Sequence, residues 1–157
     1  MEKAYLAGLL DGEGCIMISK TKRKGNKNYE FWLRVFVSNS HLQGLQEVQK
    51  CFGGLINEVK PDSKRFSQNR CWRVWWNGKS GETLLQLLLP YLVIKKEQAI
   101  VALEFARKKE ETPRCFDILN PLYQSIAKLK RVHLVPYSPQ RLSEETLYSE
   151  AIVQTAL

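Results

Sequence analysis

The stretch YLAGLLDGEG at residues 5–14 constrains the fold more than any other part of the chain. Ala7, Gly8 and Gly12 carry little or no side chain, which allows a second backbone to approach closely. The segment therefore predicts a short helix over residues 4–12 that lies at a helix–helix interface. From Cys15 the hydrophobic period changes to two, so a strand is expected to follow directly.

Two carboxylates stand at the end of this predicted helix. Asp11 and Glu13 would lie at the negative end of the helix dipole, beside carbonyls that have no partner within the helix. A hard cation would offset both disadvantages, and carboxylate and carbonyl oxygens are the ligands that magnesium prefers. An exposed acidic turn that merely ends a helix is the alternative interpretation of the same residues.

Alternating hydrophobicity predicts two antiparallel hairpins. The first pairs a strand from Cys15 with a strand that ends near Ser38, around a basic turn at residues 20–29. The second pairs residues 55–60 with residues 70–77, around a polar loop at 61–69. Side chains expected to face the core are Ile16, Ile18, Phe31, Leu33, Val35, Val37, Trp72, Val74 and Trp76.

Capping signals place the remaining helices. Ser40 is expected to cap a helix over residues 40–52, and Ser80 to cap one over 82–89. Further helices are predicted over 95–109, over 113–131 after Thr112 with a break or kink at Pro121, and from Ser143. The order is that of an α+β fold. We expect one domain over residues 1–131, with an extension over 132–157 as part of the same globule.

The charge balance favours a polyanionic partner. Lys and Arg number 24 against 16 Asp and Glu, a formal net charge of +8, and a basic surplus of this kind is typical of nucleic-acid binding. We expect no membrane partner, because the longest apolar run is too short to cross a bilayer. Without a predicted signal peptide, we expect an intracellular location, in cytoplasm, nucleoid or an organelle matrix. The four cysteines are expected to be reduced.

The first segment resembles the signature of the LAGLIDADG homing endonucleases. The matching residues are Leu6, Ala7, Gly8, Leu9, Asp11, Gly12 and Gly14. A second stretch, residues 90–99, is similar to another recurrent segment of that family. The resemblance implies a homing endonuclease-like α+β fold with an αββαββα core, an antiparallel sheet saddle packed under the helices, and extra C-terminal helices.

The resemblance also implies an active site. Glu13 falls on the family's metal-binding acidic position, with the backbone carbonyl of Gly12 beside it, and Lys95 falls on the active-site lysine. Asn39 falls on a polar residue that orients water, whereas Gln43 stands where relatives often have a basic residue. The implied cofactor is Mg²⁺, with Mn²⁺ or Ca²⁺ able to replace it for binding.

A single copy of the motif resembles the homodimeric branch of the family. The implied function is a site-specific double-strand DNA endonuclease, intron-encoded, that hydrolyses phosphodiesters with paired metals. Two-fold symmetry of the dimer predicts a long, partly palindromic target. The residues expected at the dimer interface are Leu6, Ala7, Gly8, Leu10 and Asp11.

The outward face of the hairpins is expected to bind duplex DNA in a groove. Residues expected to contact bases or phosphates are Ser19, Thr21, Arg23, Glu30, Arg34, Asn57, Arg70 and Arg73. Residues of the loops expected to contact phosphates only are Lys22, Lys24, Lys27, Lys64 and Arg65.

Two other functions fit parts of the sequence. One is a non-cutting nucleic-acid-binding module on the same scaffold, either a maturase with intron RNA as its partner or a transcription regulator. The other is a purely structural dimerisation domain, which leaves the basic hairpins unexplained.

Overall fold

A computed structural model describes residues 1–22, 29–59 and 70–132. The expected αββαββα order is confirmed and is followed by two further helices. The elements are α1 (Lys3–Glu13), β1 (Gly14–Lys22), β2 (Tyr29–Asn39), α2 (Leu42–Phe52), β3 (Leu55–Val59), β4 (Cys71–Asn77), α3 (Lys79–Leu88), a 3₁₀ turn (Leu89–Tyr91), α4 (Lys96–Glu111) and α5 (Phe116–Val132).

The four strands form one antiparallel sheet in the order β1-β2-β4-β3. The predicted alternation is confirmed, including that of β4. Ile16 pairs with Val35, and Val35 pairs with Trp76 on the other side. All three side chains are buried under the helices, so the helices cover one face of the sheet and leave the other to solvent.

Three helix starts differ from the sequence prediction. The cap of α2 is His41 instead of Ser40, because the His41 Nδ1 accepts the Gly44 N–H at 3.1 Å. Helix α3 begins at Lys79, although Ser80 still hydrogen-bonds the backbone of Asn77.

The start of α5 was predicted at Pro113 and lies at Phe116. The hydroxyl of Thr112 donates back to the carbonyl of Lys108 at 2.8 Å. Thr112 therefore closes the end of α4 and does not open the next helix. Pro121 lies inside a continuous α5, so of the predicted break or kink the helix shows no break.

Two expectations from the sequence concern membrane-spanning helices and the state of the cysteines. None of the helices there is long and apolar enough to cross a membrane. All four cysteines are free thiols, as predicted. The predicted stretch at 135–140 and the helix from Ser143 lie outside the described residues.

Gly53 and Gly54, between α2 and β3, differ in how much space surrounds each of them. Both have positive φ, 69° at Gly53 and 99° at Gly54. A Cβ on Gly53 would meet nothing within 4 Å, whereas a Cβ on Gly54 would lie 2.8 Å from Val74 and 2.9 Å from Trp76. Gly54 is therefore constrained by core packing as well as by backbone conformation.

We expect Gly54→Ala to lower the free energy of unfolding by about 2–4 kcal/mol, because backbone strain and overpacking add. Gly53→Ala, the matched control, should cost about 1 kcal/mol from strain alone. Urea unfolding followed by tryptophan fluorescence measures both. Equal losses for the two variants would contradict the role assigned to packing at Gly54.

Candidate active site and nucleic-acid interface

One carboxylate joins the end of α1 to the start of α4. The side chain of Asp11 accepts backbone N–H groups from Val93 at 2.8 Å, Ile94 at 3.1 Å and Lys95 at 2.8 Å. In return, the Lys95 ammonium donates to the Asp11 carbonyl. The negative end of one helix and the positive end of another thus complement each other. We call this set of contacts the Asp11–Lys95 clamp.

The clamp changes the interpretation of the two acids in the motif. Asp11 was expected to need an external cation, yet it is 8% exposed and fully engaged within the protomer. Glu13, two residues later, is exposed and makes no hydrogen bond or ion pair with any residue that the structure describes. Glu13 therefore remains the carboxylate available to a ligand.

Lys95 is held partly buried beside this free carboxylate. Burial lowers the pKa of its ammonium, while Asp11, then Cys15 and Glu13, act in the opposite direction. Because the Glu13 carboxylate is among the charges that act on the Lys95 pKa, the two side chains lie within electrostatic reach of each other. The lysine and the acid that the resemblance implied are thus brought together.

A second lysine lies near the same place. The Nζ of Lys130, in the last turns of α5, is 2.9 Å from the Sγ of Cys15. Its charge also contributes to the lowered pKa of Lys95. The sequence analysis did not select Lys130, because it lies 115 residues from Cys15 and no motif marks it.

Asn39 and Gln43 lie around the end of β2. Asn39 is two residues beyond Val37, the partner of Gly14, so it lies at the same end of the sheet as Glu13. Its Oδ1 accepts the His41 N–H at 2.8 Å, which leaves the amide N–H₂ for another partner. Gln43 is exposed in the first turn of α2.

The donors at the end of α1 fit a hard divalent cation chemically. A free carboxylate and a helix-end carbonyl, Glu13 and Gly12, are oxygen ligands of the kind that Mg²⁺ takes. Within the described residues, however, no three His, Cys, Asp or Glu side chains are grouped to hold a metal. The described residues of one protomer would therefore supply only part of a coordination shell, and water, a phosphate or a second protomer would have to supply the rest.

Of the residues predicted to bind DNA, most of those that the structure describes lie on the open face of the sheet. Arg34 and Asn57 border a shallow groove of about 390 Å³ together with Trp32, Trp75 and Asn77. Neither Arg34 nor Asn57 hydrogen-bonds another described residue, so their donors are available. Ser19 and Thr21 lie on β1 with long hydrogen bonds to β2 carbonyls, 3.4 and 3.5 Å.

Arg73 is held in one orientation on this face. Its guanidinium lies 4.1 Å from the ring centre of Phe36 and 5.0 Å from that of Trp75. Its Nε donates to the Ser38 hydroxyl at 2.7 Å. The terminal nitrogens make no hydrogen bond to the described residues and so form a preorganised pair of donors, which suits a base edge or a phosphate.

Arg70 does not lie on the open face of the sheet, where it was expected to contact DNA. By strand alternation its side chain belongs to the same side of the sheet as those of Trp72 and Val74, the side that the helices cover. Its Nε forms an ion pair with the Glu58 carboxylate at 2.7 Å.

The remaining predicted contacts differ in what surrounds them. Glu30 lies within electrostatic reach of Lys109: burial lowers the pKa of Lys109, and the Glu30 carboxylate opposes that effect. Lys22 is exposed. The other predicted contacts fall outside the described residues: Arg23, Lys24, Lys27, Lys64 and Arg65.

Lys109 is a further residue that the sequence analysis missed. Its Nζ lies 3.8 Å from the ring centre of Trp32 and donates to the Phe31 carbonyl at 2.6 Å. That carbonyl lies where β2 extends beyond β4, so α4 covers an otherwise open strand edge. Trp32 is thereby fixed on the open face, which the alternation of β2 predicted.

Four of the five residues expected at the dimer interface have their side chains buried within one protomer. Within one protomer Leu6, Ala7 and Leu10 are fully buried and Asp11 nearly so, because this side of α1 packs on its own sheet. Gly8 is the exception and lies on the exposed side of the helix, with Gly12 one turn later.

Comparison with known proteins gives one family. The family described as LAGLIDADG endonuclease matches residues 6–104. The DNA endonuclease I-CvuI of Chlorella vulgaris is 30% identical over 113 residues, 69% of this chain and 66% of that protein. The matched part of the chain thus spans slightly less than two thirds of the relative's length.

Solved structures show the same fold. The homing endonuclease I-CvuI in complex with its target and calcium has a TM-score of 0.64 at 29% identity, over 81% of this chain and 80% of that one. An archaeal intron-encoded homing endonuclease, I-Vdi141I complexed with DNA, gives 0.67 at 14% identity, over 81% and 82%. The group I intron-encoded I-CeuI complexed with DNA gives 0.66 at 15%, over 79% and 65%.

The clamp can be tested by separating the two acids of the motif. We expect Asp11→Asn to lower the free energy of unfolding by about 2–3 kcal/mol, the range for hydrogen bonds to a charged group. Glu13→Gln, its matched control, should change stability by less than about 0.5 kcal/mol because that side chain is exposed. Urea unfolding measures both, and equal effects would contradict the assignment of Asp11 to the clamp.

Proposed function

Because the chain belongs to the LAGLIDADG endonuclease family, we propose that it is a site-specific double-strand DNA endonuclease that acts as a metal-dependent homodimer. The observation that carries the proposal is the free carboxylate of Glu13 beside the clamped Lys95. Glu13 is the last residue of α1, directly before β1, and the Lys95 ammonium donates to the Asp11 carbonyl two residues earlier.

The protein's own groups have separate tasks in this reaction. Arg34 and Arg73 on the open face hold the duplex, with phosphate contacts setting its position and groove contacts its sequence. Lys95 faces the scissile phosphate and stabilises the charge that develops on it. The Asp11–Lys95 clamp keeps the lysine and the Glu13 backbone in a fixed relation, so little reorganisation is needed.

The oxygens at the end of α1, the Glu13 carboxylate and the Gly12 carbonyl, are the groups that would hold the metal. When bound, a divalent cation, Mg²⁺ in the cell, would supply Lewis-acid activation of water and of the leaving oxygen. The amide of Asn39, at the same end of the sheet as Glu13, would orient a water molecule.

The exposed side of α1 supports the homodimer. A Cβ at Gly8 or Gly12 would meet nothing within 4 Å in the protomer, yet glycine inside a helix costs about 1 kcal/mol relative to alanine. The protomer's own packing therefore needs neither glycine. Nearby Val93 and Ile94, 82% and 57% exposed, add apolar surface. A second α1 crossing at the glycines would cover this surface and bring two copies of Glu13 together.

The proposed biological role is intron homing. The partly palindromic target follows from the two-fold axis, and the enzyme would work in the compartment that holds the DNA and the intron. Two of the compared structures are of intron-encoded homing endonucleases, which supports this role.

We expect purified protein with Mg²⁺ to cut a DNA library at one recurrent site, with short 3′ overhangs read by sequencing of the ends. Glu13→Gln should reduce cutting by about 10³-fold, since it removes a charged group at the reacting centre. Binding in Ca²⁺ should persist.

Glu104→Gln is the matched control, because Glu104 is an exposed acid on α4 away from this site. It should cut at the wild-type rate. Specific binding by the wild type without breaks would overturn the nuclease proposal and favour the non-cutting module.

We expect Gly8→Leu to weaken dimerisation at least about tenfold, a change of roughly 1.4 kcal/mol, because the side chain prevents close crossing of two helices. Sedimentation equilibrium measures the dissociation constant, and circular dichroism verifies folding. Gln46→Leu, which places the same side chain on the exposed face of α2, should leave the dimer intact. An unchanged Gly8→Leu dimer would place the interface elsewhere.

A further inference from the structure

Lys130 brings a charge from the last helix to the beginning of the first strand. Helix α5 packs on β1 and α4, and the Lys130 Nζ lies 2.9 Å from the Cys15 Sγ. Cys15 is the second residue of β1 and lies two residues after Glu13. Successive strand residues rise about 3.3 Å, so this is a short distance along the chain.

The side on which Lys130 arrives follows from the alternation of β1. Ile16 and Ile18 are buried under the helices, so Cys15 belongs to the opposite side, the open face. Strand β1 is the edge of the sheet. The long side chain of Lys130 therefore reaches around this edge and presents its ammonium toward the open face next to the motif.

Among the residues that the structure describes, the positive charges at this place exceed the acids free to balance them. Lys95 and Lys130 repel each other, and the repulsion is among the causes of the lowered pKa of Lys95. Of the two nearby acids, Asp11 is engaged by three N–H groups of the α4 start. Glu13 is the other acid, and its charge acts on Lys95. A bound anion would offset the repulsion between the two ammonium groups.

We propose that Lys130 is a second phosphate-contacting cation of the cleavage site, acting with Lys95 on the phosphate that Glu13 and its metal address. The inference rests on the proposed nuclease function and extends it to a helix beyond the family match at residues 6–104.

The step that Lys130 assists is hydrolysis of a phosphodiester. The oxygen of water bonds to phosphorus, the bond from phosphorus to the leaving oxygen breaks, and the proton of water passes to the leaving oxygen or to solvent. No oxidant or reductant takes part. Negative charge grows on the phosphate oxygens and the leaving oxygen, and a lysine acts on it as a mobile point charge.

The test compares variants at two lysines of the same helix turn. Lys130→Met should lower the rate constant for cutting of bound DNA, in single turnover with Mg²⁺, by about 10²-fold, the usual effect of one stabilising group. Lys130→Arg, which keeps the charge, should recover at least a tenth of the wild-type rate. Lys128→Met removes the same charge from an exposed position of α5 and should cut like the wild type.

Each outcome separates this inference from the proposal on which it rests. If the wild type does not cut, the nuclease function fails. If the wild type cuts and Lys130→Met cuts equally fast, the role of Lys130 is excluded. The role is also excluded if Lys130→Met loses affinity in Ca²⁺ but cuts bound DNA at the wild-type rate, or if Lys130→Arg is as slow as Lys130→Met while both unfold in urea like the wild type.

Discussion

The contacts between Asp11 and the start of α4 are the interaction on which the site depends. A carboxylate at the end of one helix accepts three N–H groups at the start of another, and the lysine beside those groups returns a bond to the first helix. Each helix end thus supplies what the other lacks. Because α1 continues directly into β1, the same contacts fix Glu13 relative to the sheet. The same contacts therefore stabilise the packing of α1 on α4 and fix the position of Glu13.

The sheet was predictable because one face is buried and the other is not. A one-residue slip would expose Val74 and Trp76 and bury Arg73, so the alternation determines the register. The helix ends were less predictable because several polar side chains could serve as caps. Ser40 and His41 both can cap α2, and Thr112 can either close α4 or open α5. The choice depends on where the backbone lies in three dimensions, which sequence periodicity does not specify.

The candidate site was likewise predictable in part: some of its residues followed from the sequence and others did not. The motif led to Glu13 and to Lys95, because the helix end and the second segment carry recognisable residues. It gave the wrong partner for Asp11, since a carboxylate at a helix C-terminus lacks a local partner and the three N–H donors lie 82 to 84 residues away. The dimer contact that the resemblance implied also drew residues from both sides of α1. Leu6 and Leu10 belong to the core, and Gly8 and Gly12 belong to the surface.

The division of α1 into two faces links assembly to chemistry. The face with Leu6 and Leu10 packs the helix on its own sheet. The face with Gly8 and Gly12, the glycine face, leaves open space where a second backbone can approach. At the end of the same helix, one protomer offers too few side-chain ligands for a metal within the described residues. The described part of one protomer thus has the fold and the open sheet face but no such group of ligands. If two glycine faces meet, the distance between the two Glu13 carboxylates is set by rigid helices instead of by loops, so completion of the site and formation of the dimer become one event.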